Sequence, residues 1–174
     1  DLKVAHCHDL PCTSATITSL DLLGNVGMHT SVAIGADGLG LISYYDATNG
    51  DLKVAHCNNT ACTSATTSTV SSVGTVGMYT SLAIGTDNLG LISYHDYSSE
   101  ELHVAHCDNA ACTSATVSLL SGVGDIGRYS SLAIGSDGLG LISCLYFNFT
   151  EFDLVVYHCD NTACTSADVS HVDS

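Results

Sequence analysis

The residues of this chain that could do chemistry recur in one motif, a His-Cys pair with a second Cys five positions on. His6-Cys7 precedes Cys12, His56-Cys57 precedes Cys62, His106-Cys107 precedes Cys112, and His158-Cys159 precedes Cys164. A zinc ion takes imidazole and thiolate ligands, but one His and two Cys leave its fourth position empty, and its usual motifs draw on a second ligand pair further along the chain. The first Cys of each pair follows the previous one by 50 residues, and by 52 in the last step. Equivalent residues of a repeat are separated by a whole structural unit, so these histidines do not converge on one ion. The pairs therefore read as local disulfides, which points to an oxidising compartment. Closing a loop of about six residues stabilises by roughly 2 kcal/mol in the chain-entropy model. No cofactor is expected.

Other candidates give way to plainer readings. Asp46 and Asp96 hold the same place after a Ser-Tyr-x-Asp string, and paired carboxylates can serve acid–base catalysis. The third copy has Tyr146 there, so a turn-forming role is expected. Two N-x-[S/T] triplets, at Asn58 and Asn148, are possible glycosylation sites in loops, and the Thr/Ser-rich segments would accept O-linked sugars. Cys144 is the odd cysteine, standing where the other copies have Tyr44 and Tyr94. It reads as a buried unpaired thiol, with an intersubunit disulfide as the alternative. The segment around it, CLYFNFTEF, is the most aromatic in the chain.

Charge narrows the partners. Lys3, Lys53 and Arg128 stand against 18 acidic residues, a formal net charge of −15. Nucleic acid is excluded, because binding it needs clustered Lys and Arg, and anionic membrane surfaces are disfavoured likewise. No apolar run reaches the roughly 18 residues of a membrane span, and no segment resembles a signal peptide. An acidic surface suits a soluble secreted protein.

The elements that must position these residues repeat every 50 positions. SVAIGADGLGLISYYD at 31–46, SLAIGTDNLGLISYHD at 81–96 and SLAIGSDGLGLISCLY at 131–146 are copies of one string, and the chain opens on DLKVAHC, which recurs at 51–57. A repeat of this length means a propeller, solenoid or array. Each copy reads as four strands. The first covers 31–35, and Asp37-Gly38 is a hairpin signal. The second covers 39–46, the third 51–57, and a polar Thr-rich fourth 63–70 suits a sheet edge. Residues 71–78 read as a Gly-rich connection. The near-continuous apolar first and second strands are expected to be covered on both faces. The division is a partial repeat at 1–27, full repeats at 28–77 and 78–127, and a repeat with a two-residue insertion at 128–174. The fold class is all-β, in tandem four-stranded antiparallel units.

The S-L-A-I-G-T-D-x-L-G-L-I-S-Y-x-D string, with D-L-K-V-A-H-C after it, resembles the blade repeats of secreted bacterial β-propellers, the sialidase-like and lectin-like ones in particular. The resemblance implies that 31–35 is the innermost strand and 63–70 the outermost. The chain departs from that family in having no Trp and no S-x-D-x-G-x-T-W box, and a single arginine cannot form a sialidase's Arg cluster. Sialidase activity is thereby excluded.

A closed propeller usually needs four blades or more, and this sequence supplies three complete units and two strands of another. It reads as a mature subunit or as a window from a longer array. Without a triad, a phosphate loop or a metal cluster, no catalysis is expected. The leading expectation is an extracellular structural repeat protein that associates with itself end to end into a filament or surface layer. The alternative is a lectin-like propeller that binds glycans between blades, for which an aromatic content of 6% is poor provision.

Overall fold

The structure, a computed structural model, describes residues 1–120, 124–148 and 150–172. These form strands and no helix. In chain order they are β1 (Leu2–Cys7), β2 (Ala15–Asp21), β3 (Val26–Ile34), β4 (Gly40–Asp46), β5 (Asp51–Cys57), β6 (Ala65–Ser71), β7 (Val76–Ile84), β8 (Gly90–Asp96), β9 (Glu101–Cys107), β10 (Ala115–Leu119), β11 (Asp125–Ile134), β12 (Gly140–Phe147), β13 (Phe152–Cys159) and β14 (Ala167–His171). They make three four-stranded antiparallel sheets in simple meander order, β3 to β6, β7 to β10 and β11 to β14, preceded by the two-stranded sheet β1–β2. The all-β reading of the sequence, with blade-like units of four strands, is what the chain adopts.

Burial follows the composition of the strands. The apolar second strands β4 and β8 are buried almost throughout, whereas the Thr-rich fourth strands β6 and β10 are mostly half-buried or exposed. The cores lie between sheets rather than within them. Leu2 joins Val26, Ile42 and Tyr44. Leu41 and Leu52 join Val76, Leu82 and Ile92. Leu91 and Leu102 join Ile126, Leu132 and Ile142. β7 and β11 each lie against the first, second and third strands of the preceding sheet, and β3 lies against β1.

The first strand departs from the sequence reading. It was expected at 31–35 after a Gly-rich connection, but it begins five residues earlier, at Val26, and likewise at Val76. The pairing of β3 with β4 shifts register twice, between Val26 and Met28 and between Met28 and Ser31, and β7–β8 repeats both shifts. These bulges place Gly27 and Gly77 at φ of +87° and +96°, and His29, Tyr79 and Tyr129 near +53°. A bulge breaks the two-residue alternation and recruits glycine, so the segment has the composition of a loop and the pairing of a strand. The fourth strand starts at Ala65, later than expected, because Ser64 still closes the cysteine loop through its carbonyl, which accepts from the Asn58 amide at 2.9 Å.

Candidate functional site

The cysteine pairs form four disulfides, Cys7–Cys12, Cys57–Cys62, Cys107–Cys112 and Cys159–Cys164. In the three four-stranded sheets the sulfur bridge lies on the glycine that opens the second strand. A Cβ on Gly40, Gly90 or Gly140 would come within 3.0, 2.9 or 2.8 Å of the Sγ of Cys57, Cys107 or Cys159. The adjacent histidines serve each unit separately. His56, His106 and His158 bond through Nε2 to Asp37, Asp87 and Asp137 in the hairpin between the first two strands, at 2.8, 2.8 and 2.7 Å. His6 lies on β1, in the sheet that has no first strand.

Asp46 and Asp96 form turns. Oδ1 of Asp46 accepts from the amides of Thr48 and Asn49, and that of Asp96 from Ser98 and Ser99. Asn58 sits exposed in its cysteine loop, its side chain bonded to Ser64 and Thr66. Asn148 accepts from the amides of Thr150 and Glu151 and from the Thr150 hydroxyl; Phe149 lies outside the described residues. Cys144 is unpaired and buried, and burial pushes its thiol up to about 12.

The arrangement that recurs with the closest geometry was not read from the sequence. It is the seam between consecutive blades. Gly27, Gly77 and Gly127 of the first-strand bulges each sit on a leucine of the preceding unit, Leu2, Leu52 and Leu102. A Cβ there would lie 2.7 to 2.9 Å from the leucine Cα, so only glycine permits the approach. Leu41 reaches over Gly90, and Leu91 over Gly140, so that a Cβ on either glycine would lie 3.0 or 2.9 Å from the leucine Cδ2. The amides of Leu82 and Leu132 donate to the hydroxyls of Ser31 and Ser81, both at 3.0 Å. Thr80 bonds Ser43 at 2.8 Å and Ser130 bonds Ser93 at 2.9 Å. The strained aromatic residues form a ladder across the blades, His29 to Tyr79 at 4.6 Å and Tyr79 to Tyr129 at 4.5 Å between ring centres.

Among the described residues nothing covers the seam face of the third blade. Leu141 and Leu154 are each 43% exposed, whereas Leu41, Leu91, Leu52 and Leu102 are at most 1% exposed. Tyr129 carries no further rung and is 67% exposed. Beside it, Ser143, Cys144, Leu145, Phe152 and Leu154 line a groove of about 370 Å³. At the opposite end β3 is bare in a complementary way. Val32 and Ile34 are 62% and 66% exposed, while Leu82 and Leu132, the equivalents of Val32, are nearly buried. Gly40 has only its own disulfide nearby. The sequence signal for the seam was the fixed 25-residue step from each Leu52-type leucine to the next bulge glycine, which pattern reading for strands does not register.

Two of the seams also carry a polar set. In the first, the Lys53 ammonium bonds Asp21 at 2.6 Å, stands 3.8 Å from Asp46 and lies over the Tyr44 ring, whose hydroxyl donates to Asp21 at 2.7 Å. Asp21 is held below the usual carboxylate range by the Lys53 and Tyr44 bonds, which outweigh its burial. Between the second and third blades, buried His95 donates from Nε2 to Asp125 at 3.1 Å, and Arg128 pairs with the same carboxylate at 2.6 Å. Burial drives the His95 pKa down, with Asp125 opposing.

An all-β protein of tandem four-stranded blades, stapled by disulfides and keyed together along glycine–leucine seams, is the class that this fold and these seams define. No family model matches the chain and no curated protein matches it in sequence. Among solved structures it is similar to the α-L-arabinofuranosidase from Lactobacillus brevis, with a TM-score of 0.56 and 8% identity over 84% of this chain and 53% of that one. A fucose lectin from Kordia zhangzhouensis, solved with methyl-fucoside, aligns at a TM-score of 0.48 and 9% identity, over 83% of this chain and 99% of that one. At 8% identity the first likeness concerns the fold alone, and the chain spans about half the length of the arabinofuranosidase. The resemblance to propeller repeats thus holds at the level of β architecture, without a sequence-level family behind it.

Proposed function

We propose that this is a non-catalytic, extracellular structural repeat protein, whose bare third-blade face takes the β3 end of a second copy. The observation that supports this reading is that every seam contact made twice inside the chain has one unmade half at each end. Leu141 answers Gly40 and Val32, as Leu91 answers Gly140 and Leu132. The Ser131 hydroxyl answers the Val32 amide, Ser143 answers Thr30, and Tyr129 answers His29. Joining unlike ends in this way does not close on itself, so it propagates into an array. Four local disulfides fit an oxidising, extracellular setting.

The outer half of the receiving face is held by β1–β2, with Leu2 already seated on Gly27. A docking blade displaces this ribbon, at the cost of the Leu2 packing and the Asp21 bonds to Lys53 and Tyr44. Small-angle scattering over a concentration series, with hydrogen exchange on the same samples, tests the reading. Elongated particles should grow with concentration while the β1–β2 amides lose protection. A compact 18.0 kDa particle at every concentration refutes it.

A further inference from the structure

The rims of successive seams, compared position by position, single out one cleft. In the first seam Asp21, Tyr44 and Asp46 hold the Lys53 ammonium. In the second, Tyr94 and Asp96 keep their places, while Ser71 stands for Asp21 and His103 for Lys53. Both replacements are shorter, and both take away charge. Where the lysine head would lie, a cleft of about 420 Å³ opens, walled by Ser71, Val73, Val76, Tyr94, Asp96 and His103. The His103 ring stacks on Tyr94 at 5.7 Å, much as the Lys53 ammonium lies 5.6 Å from the Tyr44 centre. His103 Nε2 is buried without a hydrogen-bond partner, 3.9 Å from Asp96 Oδ2 and 3.6 Å from Glu101 Oε2. The two carboxylates face this corner with no Lys or Arg in its walls. The third seam has lost the set, with Cys144, Val155 and Tyr146 at the equivalent positions.

The geometry points to this cleft as a binding site for a primary ammonium group on a small molecule of about monosaccharide size, held where the Lys53 ammonium lies one blade earlier. An ammonium has three donors and no acceptor. Here Asp96 Oδ2 and the Ser71 hydroxyl accept from it, beside the His103 ring that covers Tyr94. Val73 and Val76 offer apolar walls to the carbon frame, and the volume lies within the range of small-molecule sites. The net charge of −15 raises the local concentration of cations. The site stands apart from the docking of copies, since none of its walls belongs to either bare end.

The test is an NMR titration of the intact protein with n-butylamine and with glucosamine, and with N-acetylglucosamine as the form whose nitrogen carries no charge. Both amines should saturate, with shifts gathered on residues 69–76 and 94–103, and N-acetylglucosamine should bind about tenfold more weakly or not at all, as loss of a charge-assisted bond requires. Asp96→Asn should remove the binding. His103→Lys should remove it too, and this variant restores the lysine that the preceding blade folds around. Ser71→Asp, which restores the second carboxylate, should tighten binding by about fivefold. Asp137→Asn, in the hairpin of another blade, should change nothing. The proposal is overturned if neither amine binds, or if N-acetylglucosamine binds equally well. It is also overturned if shifts scatter over the acidic surface, or if binding survives both Asp96→Asn and His103→Lys.

Discussion

The faces of the second and third blades carry the same leucines, and only one of the two faces is covered. On the second blade Leu91 and Leu102 are fully buried under glycines of the third; on the third, Leu141 and Leu154 stand open. Strand pairing within the two blades is nearly identical, so the difference owes nothing to the blade itself. A blade of this repeat is complete in its strand pairing and incomplete in its apolar packing and its seam hydrogen bonds. Its stability is a property of the seam, as expected for repeat proteins whose units contact mainly their neighbours.

The largest effect should follow from cutting the covered side of that comparison. Leu102→Ala leaves a cavity under Gly127 and should cost about 2 to 5 kcal/mol of unfolding free energy, against less than about 1 kcal/mol for Leu154→Ala on the bare face. Denaturant unfolding of both variants decides, and equal losses would mean that the seam contributes nothing special. Next is Gly77→Ala, whose Cβ would meet the Leu52 Cα at 2.7 Å from a backbone at φ +96°. Overpacking and strain together should cost about 2 kcal/mol or more, whereas Gly38→Ala, with open space around its Cβ site, should show the φ penalty alone.

The two polar rims sharpen the comparison further. Lys53→Met leaves Asp21 and Asp46 buried without their cation and should destabilise by about 2 kcal/mol. His103→Met, in the cleft of the next seam, should cost less than about 1 kcal/mol, since His103 Nε2 has no hydrogen bond to lose. Thermal melts of the two variants measure the gap.

The smallest expected effect is a pH slope from His95. Its folded pKa lies below the ordinary value of 6.5, so the unfolded chain takes up the proton first. The contribution is therefore full above pH 6.5 and drains as pH falls beneath it, by at most about 1.4 kcal/mol per pH unit. His95→Leu, which places the residue of the third copy there, should flatten stability between pH 6.5 and 5 relative to the native chain. An unchanged slope would assign the acid sensitivity to other groups.

The sequence carried the blade but not the seam. The 50-residue period, the Cys pairs and the Asp-Gly turns are local signals, and each marks a strand boundary or a staple within a few residues. The early start of β3 was hidden because Gly27 and His29 occupy bulges, whose composition is that of a loop. The Asp37–His56 bond was hidden by a sequence separation of 19, although both partners recur in every full unit. Gly77 on Leu52 and Ser31 on the Leu82 amide were hidden for a deeper reason. They join different units, and a repeat read as a list of strands says nothing about which face of one unit meets the next.

The central claim is that the bare third-blade face is an unfilled seam. Sedimentation velocity of the native chain and of Leu141→Asp, over the same concentration range, tests it most directly. The account predicts a mass that rises with concentration for the native chain and a constant 18.0 kDa species for the variant. A native chain that stays at 18.0 kDa throughout, or a variant that associates as strongly as the native chain, would contradict it.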